Sequence, residues 1–265
     1  MRSLLVLPTY NEAENIAEVL HRLRAAAPDV QVLVVDDGSP DGTAGMARDL
    51  ADEIGNLEVL ERSGKSGLGS AYRAGFRWGL ERGYEAFVEM DADLSHDPAV
   101  VPSLLAGVED GNDLVIGSRY VPGGSIPDWT FLRRAISRGG NLYARIVLGL
   151  RVQDATAGFR AYSATALRGI DLDSVRADGY GFQVEMAYRV QQQGGRLAEV
   201  PIEFRDRTLG QSKMSSRIVV EALILVTWWG IRDLPRRLFG RRHRRSPAMG
   251  DGAVGSTAPG EAARD

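Results

Sequence analysis

The sequence has no cysteine among its 265 residues and only 3 histidines, His21, His96 and His243. Disulfide bonds and thiolate metal sites are therefore excluded, which fits a reducing compartment. Zinc binding is disfavoured because no two histidines have ligand spacing. A serine hydrolase would need a G-x-S-x-G motif, which is also missing. These absences leave carboxylate oxygens as metal ligands, and such hard ligands suit Mg²⁺ or Mn²⁺.

Strong net charge and long apolar runs are missing as well. The net charge is only -3 at pH 7, which gives no global argument for nucleic acid as a partner. The apolar run in MRSLLVLPTYNE is too short for a signal peptide and predicts a first strand. Hydrophobic residues make up 44% of the chain, an ordinary globular value that allows a sizeable core.

Short apolar runs alternate with helical stretches along the first half of the chain. The runs are SLLVLP, VQVLVVDD, LEVLER, YEAFVEMD and DLVIGS, and stretches such as NEAENIAEVLHRLRAAA lie between the early ones. This alternation predicts a mainly parallel sheet covered by helices on both faces. Farther on, FLRRAISRGGNLYARIVLG and FQVEMAYRVQQQ predict helices, and DATAGFRAYS predicts a turn and a strand. Because no linker is visible, we predict one α/β domain over residues 1–216.

Three of the predicted strands end in polar residues, at 8–12, at 36–37 and at Asp91-Ala92-Asp93. The carboxyl ends of parallel strands lie at one edge of a sheet, where ligands bind. Side chains at i and i+2 of an extended segment share a face, so Asp91 and Asp93 are expected to converge. A metal ion bridging to a nucleotide diphosphate would offset their repulsion. Ordinary strand–helix loops with capping aspartates are the alternative.

The glycine-rich run GKSGLG at 64–69 is similar to a phosphate-binding loop. However, Val59 stands where a Walker motif requires its first glycine. We therefore predict that this run begins a helix whose glycines allow close backbone approach.

The segment 217–245 combines an apolar stretch with two tryptophans, Trp228 and Trp229, and an arginine-rich run. Its apolar part contains Glu221 and is shorter than the roughly 20 residues that span a bilayer. Tryptophan and arginine together are typical of a segment lying on a membrane surface. We predict a segment that binds a membrane surface or an integral membrane partner protein. The alternatives are a core or dimer helix and a nucleic-acid patch. Residues 246–265 are predicted to be a disordered tail.

A set of sequence blocks between residues 4 and 216 resembles, in order, those of polyprenol-phosphate (dolichol-phosphate) mannose synthases. The blocks are LPTYNEAENI, VVDDGSPDGT, GLGSAYRAGF, MDADLSH, GSRYVPGG, FLRRAISRGGN, DATAGFRAYS and GQSKM. The resemblance implies a single α/β domain with the GT-A (Rossmann-like) fold. It implies transfer of mannose from GDP-mannose to polyprenyl phosphate with inversion, and Mg²⁺ or Mn²⁺ as cofactor. The chain lacks the Q-x-x-R-W signature of processive synthases, which favours a single transfer.

Carried over position by position, the resemblance implies three groups of site residues. The nucleotide pocket would comprise Pro8, Tyr10, Glu12, Val35, Asp37, Asp91, Ala92, Asp93 and Gln183. The metal ligands would be Asp91, Asp93 and Ser95. The catalytic group would be Asp93 with the phosphate-binding cations Arg119, Arg133, Arg207 and Lys213. The chain departs from the family pattern at Ser95, where many relatives have Gln, and at Gln183, where some have a basic residue.

Some members of this family carry transmembrane helices, whereas others rely on a membrane partner, and this sequence resembles the second kind. The resemblance therefore implies a peripheral enzyme at the cytoplasmic face of a membrane. Three alternatives stay open. They are a UDP-glucose-dependent polyprenyl-phosphate glucosyltransferase, a catalytically silent nucleotide-sugar-binding scaffold, and a nucleic-acid-binding module. The acidic strand ends and near-neutral charge oppose the last.

Overall fold

A computed structural model describes residues 1–206 and 216–239 of the chain. The chain divides into two compact units, Met1–Gly230 and Ile231–Asp265. The predicted catalytic residues Arg207 and Lys213 and the predicted tail 246–265 lie outside the described residues. The predicted boundaries at 216 and 245 stay predictions.

A seven-stranded sheet forms the centre of the described chain, in the order β3-β2-β1-β4-β6-β5-β7. Every neighbouring pair is parallel except the two that include β6, which is antiparallel to both β4 and β5. The predicted mainly parallel sheet is thus confirmed. The strands are β1 (Ser3–Thr9), β2 (Gln31–Asp36), β3 (Leu57–Glu61), β4 (Ala86–Glu89), β5 (Leu114–Ser118), β6 (Arg160–Ser163) and β7 (Leu197–Pro201).

Helices connect the strands and cover the sheet, as the alternating pattern predicted. They are α1 (Ile16–Ala26), α2 (Thr43–Asp49), α3 (Ala51–Ile54), α4 (Leu68–Glu81), α5 (Val101–Glu109), α6 (Phe131–Leu148), α7 (Ala164–Gly169), α8 (Gly179–Gln192) and α9 (Ser216–Phe239). A 3-10 turn, Pro98–Val100, precedes α5. Helix α4 begins directly after Gly67, so the GKSGLG run starts a helix, as predicted.

The core lies on both faces of the sheet, because the central strands are buried on both sides. Leu4 and Val6 of β1 face a cluster that includes Phe76 of α4, whereas Leu5 and Leu7 belong to the cluster on the other face. This two-sided burial explains why β1 reads as a continuous apolar run. Helix α4 approaches β1 very closely at Gly75, where a Cβ would lie 2.4 Å from Val6 Cγ1.

Helices α6 and α9 each leave several large apolar side chains exposed. On α6, Phe131 and Ile146 are 87% and 70% exposed, and on α9, Ile224 and Trp228 are 63% and 55% exposed. Within residues 1–206 and 216–239, none of the helices has the length and apolar character needed to cross a membrane. Both helices pack on each other, since the Tyr143 and Thr227 hydroxyl oxygens are 2.6 Å apart.

Candidate active site

The carboxyl ends of β1, β2 and β4 meet at one edge of the sheet, as the sequence predicted. Register pairs Thr9 with Asp36 and Val6 with Glu89, so Tyr10, Asp37 and Asp91 follow neighbouring strands. Strand β6 runs the opposite way and therefore begins at this edge, directly after the loop 155–159. Strand β5 ends here too and delivers Arg119. The fold thus brings Tyr10, Asp37, Asp91 and Arg119, four of the predicted site residues, to one edge of the sheet.

Asp37 is buried at the end of β2, where a basic loop holds its carboxylate. Arg62 Nη1 donates to Asp37 Oδ1 at 2.8 Å, and the Ser66 backbone N–H donates to Oδ2 at 3.1 Å. Lys65 Nζ lies 4.5 Å from the centroid of the Tyr10 ring. Arg62 and Lys65 were not among the predicted site residues. Arg62 shortly precedes the GKSGLG run and Lys65 lies within it, which was the available signal, since a glycine-rich loop at a sheet edge suits a phosphate-bearing ligand.

Three other residues predicted for the nucleotide pocket, Pro8, Val35 and Glu12, also belong to this edge of the sheet. Pro8 lies opposite Val35 in the ladder, and Val35 is fully buried. Glu12 follows β1: its backbone N–H donates to Thr43 Oγ1, and its Oε2 accepts from Asn15 Nδ2, both at 3.0 Å. Pro8 and Val35 therefore shape the floor of the edge, whereas Glu12 fixes the entry into α1.

The loop that carries Asp91 and Asp93 is bent, so the expectation of an extended segment with a shared face is wrong. Strand β4 already ends at Glu89, and the chain bends through Ala92 and Asp93 to Leu94, whose φ is +63°. Asp93 Oδ1 accepts a hydrogen bond from the Ser95 backbone N–H at 3.0 Å, and Ala92 is buried. The turn, and not a shared strand face, sets the direction of the Asp93 side chain.

Asp91 is held from the side by Tyr72, whose hydroxyl donates to Asp91 Oδ1 at 3.2 Å. Tyr72 is fully buried and stacks against Phe182, with ring centroids 5.9 Å apart. Burial, together with the negative charge of Asp91, raises the pKa of Tyr72 well above its usual value. Tyr72 therefore stays protonated and acts as a donor to Asp91.

The donor set around Asp93 fits a hard divalent cation. Ser95 is buried, and its Oγ has no hydrogen-bond partner among the described residues. Within residues 1–206 and 216–239, no group of three or more His, Cys, Asp or Glu residues could hold a metal. Two carboxylates and a hydroxyl nevertheless suit Mg²⁺, which takes one or two carboxylates and completes its shell with water and substrate phosphates.

A buried polar layer lies beneath this loop. Glu89 is opposite Arg160 in the β4–β6 ladder, and both are 0% exposed. Burial raises the pKa of Glu89 to about 7, and the Arg160 charge opposes this only in part. The Gln183 side chain also lowers the pKa of Glu89, although neither amide atom of Gln183 is hydrogen-bonded to a described residue. A Cβ at Gly158 would lie 3.7 Å from Asp91 Oδ2 and 3.8 Å from Gln183 Nε2, which places Gln183 beside the predicted metal site.

Arg119 is buried and tightly held by a residue that the sequence did not single out, Asp154. Arg119 Nε and Nη2 donate to the two carboxylate oxygens, each at 2.7 Å, and Nη2 also donates to Thr156 Oγ1 at 2.9 Å. Burial alone would raise the pKa of Asp154, but the charge and hydrogen bonds of Arg119 outweigh it and lower that pKa. Asn141 of α6 joins this network through Thr156. The available signal was the block DATAGFRAYS, whose first residue is Asp154.

Arg133 lies on the first turn of α6 and pairs with another residue that the sequence analysis missed, Asp206. Arg133 Nη1 donates to Asp206 Oδ1 at 2.8 Å and to Oδ2 at 2.7 Å. Trp129 Nε1 donates to Asp206 Oδ1 at 3.0 Å, and the Arg133 guanidinium lies 4.0 Å from the Trp129 ring centroid. The Arg119 guanidinium is 5.3 Å from the same ring, so Trp129 brings the two predicted phosphate-binding arginines together.

An apolar cavity of about 530 Å³ lies between α6 and α9 and has Arg133 in its lining. Most of its wall is hydrophobic, with Leu132, Ile136 and Val184 among the lining residues. Thr156 contributes a polar side chain to the wall. Thr156 also accepts the hydrogen bond from Arg119. The cavity therefore adjoins the buried arginine network and can take an apolar chain that ends in an anion.

The fold and the strand-edge site define the class of a nucleotide-sugar-dependent glycosyltransferase with the GT-A fold. The model of glycosyl transferase family 2 matches residues 4–170, and the chain belongs to this family.

Individual relatives confirm the resemblance to polyprenol-phosphate mannose synthases. The chain is 56% identical over 231 residues to an undecaprenyl-phosphate mannosyltransferase of Micrococcus luteus, covering 87% of this chain and 95% of the relative. It is 49% identical over 240 residues to a polyprenol monophosphomannose synthase of Mycolicibacterium smegmatis, covering 90% and 91%. A solved glucosyl-3-phosphoglycerate synthase of Mycobacterium tuberculosis is 19% identical with a TM-score of 0.65, covering 85% of this chain and 78% of that one, and shares the fold.

Proposed function

We propose that the protein transfers mannose from GDP-mannose to a polyprenyl phosphate with inversion, giving polyprenyl phosphomannose and GDP. The observation that carries this proposal is the apolar cavity with Arg133 in its wall, because a polyprenyl phosphate is an apolar chain that ends in an anion. The names of the relatives from M. luteus and M. smegmatis state a polyprenyl acceptor and mannose, which supports the same acceptor and sugar here.

The geometry supports a direct transfer between donor and acceptor. Thr156 lines the cavity, and Gly158, two positions on, adjoins Asp91. Two residues of chain span at most ~7 Å, so the acceptor cavity and the predicted diphosphate site are close neighbours. Holding two substrates side by side removes much of the entropic barrier to their reaction.

The acceptor phosphate needs no general base in this mechanism. A phosphate monoester with a second pKa of ~6 is largely dianionic at neutral pH. Its oxygen attacks the anomeric carbon from the face opposite the diphosphate, and the bond from that carbon to the GDP oxygen breaks, leaving its electron pair on GDP. Mg²⁺ or Mn²⁺ bound by Asp91, Asp93 and Ser95 would neutralise charge on the departing diphosphate. Arg119 and Arg133 would offset repulsion between the two phosphate groups.

We also propose that the exposed apolar faces of α6 and α9 contact a membrane surface or an integral membrane partner, on the cytoplasmic side. Contiguous apolar surface of this kind marks interaction sites on soluble domains. The exposed residues are Phe131, Leu132, Ile136, Leu142 and Ile146 on α6, and Val220, Leu223, Ile224 and Trp228 on α9. Sedimentation with phospholipid vesicles tests the membrane-surface contact. Phe131→Ser with Ile146→Ser should reduce binding to the vesicles, and unchanged binding would contradict direct contact with lipid and leave the partner protein as the occupant of these faces.

Product analysis tests the proposed reaction. The protein is incubated with polyprenyl phosphate, Mg²⁺ or Mn²⁺, and either GDP-mannose or UDP-glucose. We expect a polyprenyl phosphomannose from GDP-mannose, and its loss both with EDTA and in Asp93→Asn. Transfer from UDP-glucose alone would replace the proposed donor, and no transfer from either donor would favour a silent scaffold. Undiminished activity of Asp93→Asn would refute the metal assignment.

A further inference from the structure

The two described arginines that are predicted to bind phosphate, Arg119 and Arg133, present different edges of their guanidinium groups. Arg119 uses its Nε and Nη2 for Asp154, so its two-pronged edge is already filled. Arg133 uses only Nη1 for Asp206, and its Nε and Nη2 donate to no residue in the described ranges. A guanidinium grips a phosphate best through two parallel N–H groups. Only Arg133, of these two, keeps such an edge.

The orientation of Arg133 is fixed from two sides. The Asp206 carboxylate takes Nη1 with both oxygens, and the Trp129 ring stacks 4.0 Å beneath the guanidinium. Trp129 is itself 6% exposed and hydrogen-bonded to Asp206, so the two supports also fix each other. The Arg133 side chain, by contrast, is 34% exposed and would otherwise sample many rotamers.

We propose that Asp206 and Trp129 are positioning residues that hold Arg133 with its Nε–Nη2 edge available for the acceptor phosphate. The inference rests on the proposed function, because it takes a polyprenyl phosphate as the acceptor. Arg119 then contributes at most its remaining Nη1, and its main task is to join β5 to the loop that carries Asp154. The division of labour makes Arg133 the principal phosphate contact among the described residues.

A positioning role for Asp206 predicts the opposite result from the electrostatic effect of its charge alone. Asp206 is negative and lies beside an anion site, so removing its charge should by itself tighten phosphate binding. If Asp206 instead orients Arg133, Asp206→Asn should weaken it. We expect the acceptor KM to rise about two- to fivefold, the range for a half-exposed ion pair, with the donor KM unchanged. Asp206→Glu should restore part of the loss.

The decisive experiment is a double-mutant cycle on full-length protein with Arg133→Lys, which keeps the charge and loses the fork. Asp206→Asn should raise the acceptor KM in the wild-type background and have no further effect in Arg133→Lys. Trp129→Phe, which keeps a ring and loses the N–H donor, should shift the acceptor KM in the same direction. Glu203→Gln, which removes an exposed charge from the neighbouring Glu203–Arg205 ion pair, is the matched control and should not raise the acceptor KM.

Binding of farnesyl phosphate without donor, measured by calorimetry, separates this inference from the proposed reaction. If the protein binds farnesyl phosphate more weakly in Asp206→Asn but transfers no mannose, the positioning role stands and the proposed function fails. If mannose transfer occurs but Asp206→Asn leaves the acceptor KM unchanged or lowers it, the positioning role is wrong. Independent, multiplying effects of Asp206→Asn and Arg133→Lys would also overturn it.

Discussion

Breaking the buried Arg119–Asp154 pair should destabilise the whole domain. The two side chains are 5% and 0% exposed, and Asp154 accepts hydrogen bonds from the Arg119 backbone, Nε and Nη2. In Asp154→Asn the guanidinium stays buried without its counter-charge, which typically costs ~3–5 kcal/mol. With an m-value of roughly 3 kcal/mol/M in urea, the unfolding midpoint should fall by about 1–1.7 M.

Urea unfolding followed by circular dichroism measures this shift, and Asp173→Asn is the matched control. Asp173 pairs with Arg77 at the surface, where it is 84% exposed, so its loss should cost at most ~1 kcal/mol. Replacing both partners, as in Arg119→Met with Asp154→Leu, should recover much of the stability because no charge is left unpaired. Equal losses in Asp154→Asn and Asp173→Asn would refute the reasoning.

Three further predictions concern Tyr72, Glu89 and Gly75. Tyr72→Phe removes the hydroxyl that donates to Asp91, a contact worth ~0.5–1.5 kcal/mol, so metal-dependent GDP binding measured by calorimetry should weaken about two- to tenfold. Burial raises the pKa of Glu89 to about 7, above its usual 4.5, so the native state keeps a proton that the unfolded chain loses as pH rises between these values. Glu89 should therefore lower the free energy of unfolding by an amount that grows to about 3 kcal/mol above pH 7. In urea unfolding, the advantage of Glu89→Gln over wild type should be larger by that amount at pH 8 than at pH 4. Gly75→Ala places a Cβ 2.4 Å from Val6 Cγ1, and this overpacking should lower the free energy of unfolding by ~1–3 kcal/mol, also measured in urea.

The fold could be predicted because its signals are local and periodic. Every apolar run that the sequence analysis marked as a strand became one, and GLGSAYRAGF formed α4 against β1. The order of the strands could not be read in the same way. Insertion of the antiparallel β6 between β4 and β5 depends on contacts between distant segments, such as the pairing of Glu89 with Arg160. No periodicity within either segment encodes that pairing.

The sequence pointed to residues of the candidate site but not to the residues with which they pair. The blocks pointed to Arg119 and Arg133, whereas Asp154 and Asp206 are 35 and 73 positions away from them and become neighbours only in the folded chain. The expectation of an extended Asp91-x-Asp93 segment failed for a local reason. The strand ends two residues earlier than the apolar run suggests, and a residue with positive φ, Leu94, turns the chain.

The site solves an electrostatic problem that any enzyme joining two phosphate-bearing substrates must meet. Among the residues that the structure describes, three arginine–aspartate pairs line it: Arg62–Asp37, Arg119–Asp154 and Arg133–Asp206. Each pair keeps a buried or half-buried guanidinium from standing uncompensated in the free protein. Because each of the three pairs carries no net charge, its arginine offsets less of the charge of an incoming phosphate than an unpaired arginine would. A divalent cation bound together with the nucleotide diphosphate would supply positive charge that these pairs do not, which is a physical reason for the proposed metal dependence.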